Sequence, residues 1–211
     1  MFGPLHKMNP LRLDWIARMA ESLSGKRIVD VGCGGGILTE AMAALGAHAL
    51  GIDVGDEALA VARLHKLESG AAVEYRHISA ETLAVEEPAA FDVVTCMELL
   101  EHVPGPAQVV AACAKLAKPG GLIVVSTINR NVKAYALAVV AAEYVLGLLP
   151  KGTHDYEKFL TPAELASFAR SAGLAAAGIA GIAYNPFTRS FRKVQDTSVN
   201  YMMAFRRPVD A

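Results

Sequence analysis

The stretch VDVGCGGGILTE, residues 29–40, limits the possible folds of this chain more than any other part of its sequence. An apolar run ends directly before Gly32, and an amphipathic run begins directly after Gly36. A glycine-rich turn between a buried strand and a helix lets the backbone approach a ligand closely and directs the N–H groups of the first helical turn toward it. The stretch therefore predicts a strand–loop–helix unit that binds a small molecule at its loop.

Strand-like and helix-like runs alternate along most of the chain, which predicts a doubly wound, mostly parallel sheet with helices on both faces. The predicted strands are RIVDV (27–31), HALGIDV (48–54), VEYRHI (73–78), FDVVTCM (91–97) and GLIVVST (121–127), with later strand-like runs at 174–184 and 199–206. The predicted helices are 37–46, 56–70, 106–121 and 161–173. Asp56 and Gly70 are the expected caps of the second helix, and Thr161 with Glu164 forms a capping box at the last one.

The composition predicts one domain in a reducing compartment. The chain has 211 residues, 53% of them hydrophobic, which is enough to bury one sizeable core. Its net charge of -1 provides no global basic field, so no nucleic-acid partner is expected. Cys33, Cys96 and Cys113 are an odd, scattered set that does not suggest a disulfide framework. The first ten residues lack the apolar core of a signal peptide, so a cytoplasmic location is expected.

Acidic residues around the glycine loop indicate a ligand that contains a nucleoside. Asp30 precedes the loop, and Asp53 ends the next predicted strand. An acid about 20 residues after the glycine loop can accept hydrogen bonds from the ribose hydroxyls. The dinucleotide fingerprint G-x-G-x-x-G is not met, because Ile37 occupies its last glycine position. The pattern therefore favours a nucleoside and gives little support to a pyrophosphate or to a nicotinamide-dependent oxidoreductase.

Several segments of the chain resemble known families. IVDVGCGGG, GIDV, FDVVTCMELLEH and LAKPGGLIVVST are similar to the four successive motifs of the class I S-adenosylmethionine-dependent methyltransferases. NPLRLDWI, ARLHKLESG, CMELLEHVP, STINRN, AEYVLGLLPKGTHDYEKF, YNP and VNYM resemble the ubiquinone-biosynthesis O-methyltransferase family. This second resemblance runs from about Pro4 to Arg206 and is the more specific of the two.

The resemblance implies both a fold and a reaction. The fold would be a Rossmann-like α/β domain over residues 1–211, mostly parallel with an antiparallel C-terminal strand and an apolar helical insertion at about 132–158. The reaction would be methyl transfer from S-adenosylmethionine to a phenolic hydroxyl of 2-polyprenyl-6-hydroxyphenol and 3-demethylubiquinol. Two alternatives stay open: an O-methyltransferase of a soluble catechol, and a non-catalytic scaffold subunit that binds S-adenosylmethionine.

The family pattern also implies where the donor is bound. The positions that match it are Arg12, Asp30, Gly32, Gly34, Asp53 and Met97. Arg12 would face the methionine carboxylate, since a guanidinium suits its two oxygens. Asp53 would hold the ribose hydroxyls, and Met97 would contact the adenine or the sulfonium through its backbone. A solvated helix face for Arg12 and an ordinary core position for Met97 are the alternatives.

A phenol, whose unperturbed pKa is near ~10, must also lose a proton, which calls for a base or a Lewis acid. If MELLEHV (97–103) is helical, Glu98, Glu101 and His102 share one face and could hold Mg²⁺. The alternatives are that His102 is itself the base, or that the motif is structural. His154, in the loop KGTHDYEKF, is a further candidate. The catalytic candidates are therefore His102, Glu101 and His154, and the metal candidates Glu98, Glu101 and His102.

The apolar segment VKAYALAVVAAEYVLGLLP (132–150) predicts contact with a membrane surface. It includes the charged residues Lys133 and Glu143, and its length and charge argue against a spanning helix. Arg130 and Lys151 flank it, as expected for an interfacial helix on anionic lipid. A helix buried against the sheet, a lid or a dimer face are the alternatives. We expect a protein on the cytoplasmic membrane face, in contact with other ubiquinone-biosynthesis enzymes.

Overall fold

The computed structural model of the chain describes residues 3–131, 156–185, 188 and 190–209. The helices in this part of the chain are α1 (Gly3–Met19), α2 (Ile37–Ala44), α3 (Asp56–Ser69), α4 (Ala80–Glu86), α5 (Pro106–Leu116) and α6 (Pro162–Ser171), with a 3-10 turn at Tyr156–Lys158. The strands are β1 (Arg27–Val31), β2 (His48–Asp53), β3 (Val73–His77), β4 (Phe91–Met97), β5 (Ala117–Ile128), β6 (Ala175–Asn185), β7 (Ser190–Val194) and β8 (Asn200–Arg206).

The strands form one sheet in the order β3-β2-β1-β4-β5-β8-β6-β7. Strands β1 to β5 pair in parallel, whereas β5 with β8, β8 with β6 and β6 with β7 pair antiparallel. The predicted fold class is therefore confirmed, with an antiparallel part that extends over three strands. The strand order reverses where β1 and β4 lie side by side, and ligands of open α/β sheets bind at the carboxyl ends of the strands at such a point.

Helices cover both faces of the sheet, and the buried side chains divide into two clusters. One contains Phe91, Leu116 and Tyr201 and lies on the face covered by α4, α5 and α6. The other contains Ile16 of α1 and Met42 of α2. Strands buried on both faces read as continuous apolar runs, which is why the sequence reveals them.

Local sequence signals predict some element boundaries correctly and others incorrectly. The capping box of Thr161 and Glu164 is confirmed at α6, and Gly70 ends α3 in a left-handed conformation with φ 69°. The predicted N-cap Asp56 is wrong by one residue, because Gly55 is the N-cap and Asp56 begins the helix. The helix predicted at 106–121 ends at Leu116, where the chain becomes extended and enters β5.

The apolar insertion predicted at about 132–158 falls almost entirely outside the described residues, and so does His154. Within the described ranges, no helix is both long and apolar enough to span a membrane.

Candidate cofactor and active site

The glycine loop lies across the carboxyl end of β2. The backbone N–H groups of Gly32 and Cys33 donate to the carbonyl of Ile52 at 2.9 and 3.0 Å. Gly34 has φ 53°, and Gly36, the N-cap of α2, has φ 80°. Both angles lie in the left-handed region, which glycine enters without steric cost. The run of small residues thus lets one short turn fold back onto β2 and then start a helix.

Gly32 is required for a second reason, which is close packing against the turn after β4. A Cβ atom at position 32 would lie 2.8 Å from Cδ2 of Leu99. The glycine loop and the chain that follows β4 therefore meet directly, and they form the two sides of one cleft.

Asp53, at the end of β2, organises this cleft. Its Oδ2 accepts a hydrogen bond from the backbone of Gly34 at 2.9 Å, and its Oδ1 accepts one from the backbone of Gly55 at 2.8 Å. The residue is half-buried. A carboxylate has about four acceptor positions, so two stay available for hydroxyl groups of a ligand. This geometry fits the predicted contact of Asp53 with a ribose.

A cavity of about 370 Å³ extends from Asp53 along the carboxyl ends of the parallel strands. Ile78, Leu99 and Val109 supply much of its apolar lining, and Ser79 with Glu81 adds polar groups at the start of α4. An apolar slot beside the acid that is predicted to bind a ribose suits a purine ring. A larger hollow, of about 460 Å³, opens at the opposite edge of the sheet around Arg27 and contains none of the predicted site residues.

Asp30 lies beneath the glycine loop. Thr95 donates a hydrogen bond to its Oδ1 at 2.7 Å, and Thr39 donates one to its Oδ2 at 2.8 Å. Burial raises the pKa of Asp30 to about 6. Because both oxygens are engaged from inside the protein, Asp30 holds β1, β4 and α2 together below the loop. A direct contact between Asp30 and the donor stays a prediction.

Arg12, on α1, is buried at 6% exposure, so a solvated helix face is the wrong interpretation of this residue. Its Nη2 lies 3.0 Å from Oε1 of Glu98. Despite this ion pair, Nε and Nη2 of Arg12 make no hydrogen bond of acceptable geometry with any described residue. Buried donors without partners are rare, and a guanidinium edge of this kind fits the carboxylate of a ligand.

Glu98 directly follows β4 and adopts φ 52°, a left-handed conformation that is uncommon for a residue other than glycine. Oε1 of Glu98 accepts a hydrogen bond from the hydroxyl of Ser126 at 2.6 Å. The backbone N–H of Glu98 donates to the carbonyl of Ser126 at 3.0 Å. The helix suggested for MELLEHV is wrong, because the chain leaves β4 in this conformation and then forms turns. Met97, just before, is a buried member of the cluster on α1 and α2.

Glu101 and His102 lie in different environments. Glu101 is 3% exposed, and its Oε2 accepts a hydrogen bond from Thr127 at 2.7 Å. Its Oε1 is buried without a hydrogen bond of acceptable geometry to a described residue. Burial, reinforced by the negative charge of Glu98, raises the pKa of Glu101 to about 8. His102 is exposed, and its backbone N–H donates to the carbonyl of Leu99 at 2.9 Å.

The structure does not assemble the predicted magnesium ligands. In the described part of the chain, no group of three His, Cys, Asp or Glu side chains is arranged to hold a metal ion. Glu98 shares its oxygen with Arg12 and Ser126, and Glu101 favours the neutral form, so these residues do not fit Mg²⁺ in this arrangement.

The hydroxyl groups that hold these carboxylates were not predicted from the sequence. Ser126 and Thr127 support Glu98 and Glu101 from β5, and Thr39 and Thr95 support Asp30. A signal was present, since hydroxyl residues end the otherwise apolar strand predicted at 121–127.

Comparison with known proteins agrees with this geometry. A family model described as a methyltransferase domain matches residues 5–177. The magnesium protoporphyrin IX methyltransferase of Synechocystis PCC 6803, solved with bound S-adenosylhomocysteine, superimposes with a TM-score of 0.71 at 17% identity, over 97% of this chain and 84% of that one. A methyltransferase-like protein from Bacillus halodurans gives a TM-score of 0.68 at 19% identity, over 93% and 98%. Fold, site and family model together define a class I S-adenosylmethionine-dependent methyltransferase.

Much more similar relatives narrow this class. The ubiquinone biosynthesis O-methyltransferase of Ralstonia nicotianae is 63% identical over 98% of this chain and 87% of the relative. The protein of the same name from Cupriavidus pinatubonensis is 61% identical over 98% of this chain and 82% of the relative. The chain belongs to the ubiquinone biosynthesis O-methyltransferase family. Its cofactor is S-adenosylmethionine, to which the guanidinium edge of Arg12 and the acceptor positions of Asp53 are suited.

Proposed function

We propose that this protein transfers a methyl group from S-adenosylmethionine to a phenolic hydroxyl of polyprenylated ubiquinone precursors, 2-polyprenyl-6-hydroxyphenol and 3-demethylubiquinol. The observation that carries the proposal is the 63% identity to a ubiquinone biosynthesis O-methyltransferase over 98% of this chain. The structure supports it with a largely apolar cavity of about 370 Å³ that is lined by Asp53 and by Leu99 of the turn after β4.

Two side chains orient the donor: Asp53, which lines the cleft, and Arg12, which is buried beside Glu98. Asp53 accepts hydrogen bonds from the ribose hydroxyls with the acceptor positions that Gly34 and Gly55 leave available. Arg12 binds the methionine carboxylate through the edge formed by Nε and Nη2, of which Nη2 also lies 3.0 Å from Oε1 of Glu98. The cofactor supplies an electrophilic methyl group on a sulfonium. Fixing both ends of the donor places that methyl group for an in-line displacement, and such positioning provides much of the rate.

The phenol proton goes to a base at the rim of the cleft, for which we favour His102. It is exposed at the end of the turn after β4, whereas Glu101 is buried and held by Thr127. Glu101 then acts as a positioning residue for this turn. His154 lies outside the described residues and stays a second candidate for the base. Because Glu98 is engaged by Arg12, no step is assigned to a metal ion.

Contact with an anionic membrane surface is part of the proposal, because the substrates carry isoprenoid tails. Arg192 and Lys193 are exposed on β7, at the edge of the sheet. A basic residue near an anionic surface contributes about 1 kcal/mol of attraction. Sedimentation with vesicles of phosphatidylglycerol, compared with vesicles of phosphatidylcholine, tests this. Binding to neither, or equally weak binding to both, would argue against an electrostatic contact.

The decisive experiment measures transfer of labelled methyl from S-adenosylmethionine to 3-demethylubiquinol, with and without a chelator. Label in the quinol ether supports the proposed function, and equal rates on a tail-free catechol would weaken the ubiquinone assignment. Label that is lost in chelator and restored by Mg²⁺ would establish a metal requirement. Label that is retained in chelator would favour a protein base such as His102. Donor binding without transfer to any phenol would support the scaffold alternative.

A further inference from the structure

We infer that Tyr75 and Glu40 are positioning residues for the donor, because they hold the second end of the glycine loop, at Gly36, against β2 and β3. The inference rests on the proposed function and deepens it, since this loop forms one side of the donor site. Neither residue lines the cavity beside Asp53.

The ring of Tyr75 occupies space that two glycines leave open. Tyr75 is the ladder partner of Gly51 between β3 and β2. A Cβ atom at Gly51 would lie 2.7 Å from Cδ1 and Cε1 of the ring, and a Cβ atom at Gly36 would lie 2.0 Å from the phenol oxygen. The side chain thus extends from β3 across β2 and ends against the loop.

The phenol group of Tyr75 contacts two acceptors in the loop and the following helix. Its oxygen lies 3.5 Å from the carbonyl of Gly36 and 3.4 Å from Oε1 of Glu40. These distances are longer than usual for a hydroxyl, which fits one hydrogen shared between two acceptors. Burial and the charge of Glu40 raise the pKa of Tyr75, so the phenol stays protonated and remains a donor.

Glu40 is itself held from a third element. It lies in the first turn of α2, and its side chain is mostly buried. Its Oε2 accepts a hydrogen bond from the hydroxyl of Ser69 at 2.9 Å and lies 3.0 Å from Nδ1 of His65, both on α3. A negative charge at this position also stabilises the N-terminal end of the helix that the loop begins. Tyr75 and Glu40 therefore connect the loop to β3 and α3.

Together with Asp53, this network fixes the loop at two points. Asp53 binds the N–H group of Gly34 from the end of β2, and Tyr75 contacts Gly36 from β3. The backbone between these points forms one side of the donor site. Removing the phenol group leaves Asp53 in place but releases one of the two contacts. Donor affinity then falls, although no atom that touches the donor has been removed.

Tyr75→Phe tests this inference, because it retains the ring between the two glycines and deletes only the hydroxyl. We expect the Kd of S-adenosylmethionine and of S-adenosylhomocysteine, measured by calorimetry, to rise about twofold to fivefold, as for the loss of a hydrogen bond at the weak end of the usual range. We expect the kcat at saturating donor and the KM of the phenolic substrate to stay unchanged. Tyr201→Phe is the matched control, because it deletes a phenol that donates to the carbonyl of Leu160 at 2.8 Å, away from the loop. It lowers Tm and leaves the donor Kd unchanged.

A donor Kd equal to that of the wild type in Tyr75→Phe, together with a lower Tm, would overturn the inference and leave Tyr75 as a packing residue. If Tyr75→Phe does not fold, Glu40→Gln provides the same comparison, with the same expected rise in donor Kd. Wild-type protein that binds no donor would contradict the proposed function itself. Wild-type binding that neither variant changes would contradict only the roles of Tyr75 and Glu40.

Discussion

Asp53 and Glu98 are two acids at the carboxyl ends of β2 and β4 in the same sheet, yet their surroundings differ. Asp53 ends β2 in ordinary geometry, and backbone N–H groups of Gly34 and Gly55 bind both of its oxygens. Glu98 follows β4 with a left-handed backbone and pairs with Arg12, whose Nε makes no hydrogen bond with a described residue. The acid at β2 is therefore held by backbone N–H groups and keeps acceptor positions for a ligand, whereas the acid at β4 is held by an ion pair whose cation keeps a donor for a ligand.

This difference predicts that the two sides of the cleft, around β2 and around β4, have different roles. The side around β2 is held in place by the protein itself, so changes at its residues should lower donor affinity and protein stability together. The side around β4 combines a strained backbone with buried charges, features that concentrate at functional sites. On this side Arg12 is proposed to contact the donor, whereas Glu98 and Glu101 are not, so changes at these two acids should affect the reaction rate more than donor affinity.

The largest effect is expected for Asp53→Ala. The variant loses the acceptor of the ribose hydroxyls and the anchor of the glycine loop, so donor affinity should fall about 100-fold, as for the loss of two charge-assisted hydrogen bonds. Calorimetric titration with S-adenosylmethionine measures it. Asp56→Ala, three positions further at the exposed start of α3, is the control and should bind normally. Unchanged affinity in Asp53→Ala would remove this residue from the site.

Two alanine substitutions in the loop measure how tightly the side around β2 is packed. Gly34 and Gly36 both have positive φ, but a Cβ atom at Gly34 meets nothing within 4 Å, whereas one at Gly36 meets Tyr75. Gly36→Ala should therefore cost about 1–3 kcal/mol more free energy of unfolding than Gly34→Ala. Urea denaturation of both variants gives the difference. Equal losses would mean that Tyr75 moves freely and that the loop is not held from β3.

Glu98→Gln tests the side around β4. The amide keeps the shape of the side chain but removes the charge beside Arg12, so we expect kcat to fall about tenfold with a donor Kd within about threefold of the wild type, as for loss of an interaction made mainly in the transition state. Steady-state kinetics and calorimetry on the same preparation separate the two quantities. Glu57→Gln, on the exposed first turn of α3, is the control. A large loss of donor affinity with normal kcat would reverse the proposed roles of the two sides.

The smallest expected effect is a change of protein stability with pH, to which Asp30 and Glu101 contribute over different pH ranges. Burial raises the pKa of Asp30 from 3.8 to about 6 and that of Glu101 from 4.5 to about 8. A raised carboxyl pKa means that the folded state retains a proton which the unfolded state has released. The stabilising contribution of such a carboxyl group is thus complete below its pKa in the unfolded state, and it is lost as pH rises through its pKa in the folded state.

The loss of stability due to Asp30 is therefore complete near pH 6, whereas the loss of stability due to Glu101 continues to about pH 8. Glu101→Gln should remove the decrease in Tm between about pH 6.5 and 8.5, a change of about 2–4 °C for a protein of this size. Asp30→Asn should not remove it. Scanning calorimetry at the two pH values measures this, and equal decreases in wild type and Glu101→Gln would assign the pH dependence to other groups.

Features that depend only on residues close together along the chain could be predicted from the sequence. The capping box of Thr161 and Glu164 spans one helical turn, and the buried parallel strands are continuous apolar runs, so both could be predicted. Strand β7 was missed because Ser190–Val194 is a polar edge strand without apolar alternation. Spacing alone also failed for MELLEHV, since its helical pattern is interrupted by the backbone conformation of Glu98.

Contacts between distant segments account for most of what the sequence did not reveal about the site. The ion pair of Arg12 and Glu98 joins α1 to the end of β4, and no periodicity in either segment indicates it. The same is true of Tyr75, which reaches the glycine loop only because Gly51 leaves space for its ring. The resemblance to a family supplied the position of Arg12, and the spacing from the glycine loop supplied that of Asp53, but neither revealed the partners that orient them.

The backbone of Glu98 has a consequence for directed evolution. A left-handed residue with a side chain costs about 1 kcal/mol or more relative to glycine. Glycine would relieve that strain, but it would also leave the buried guanidinium of Arg12 without its ion-pair partner, which costs about 3–5 kcal/mol. A library selected for heat tolerance alone should therefore retain an acid at position 98 and keep the strained backbone. Heat-tolerant variants that do carry glycine there should carry a second change at position 12.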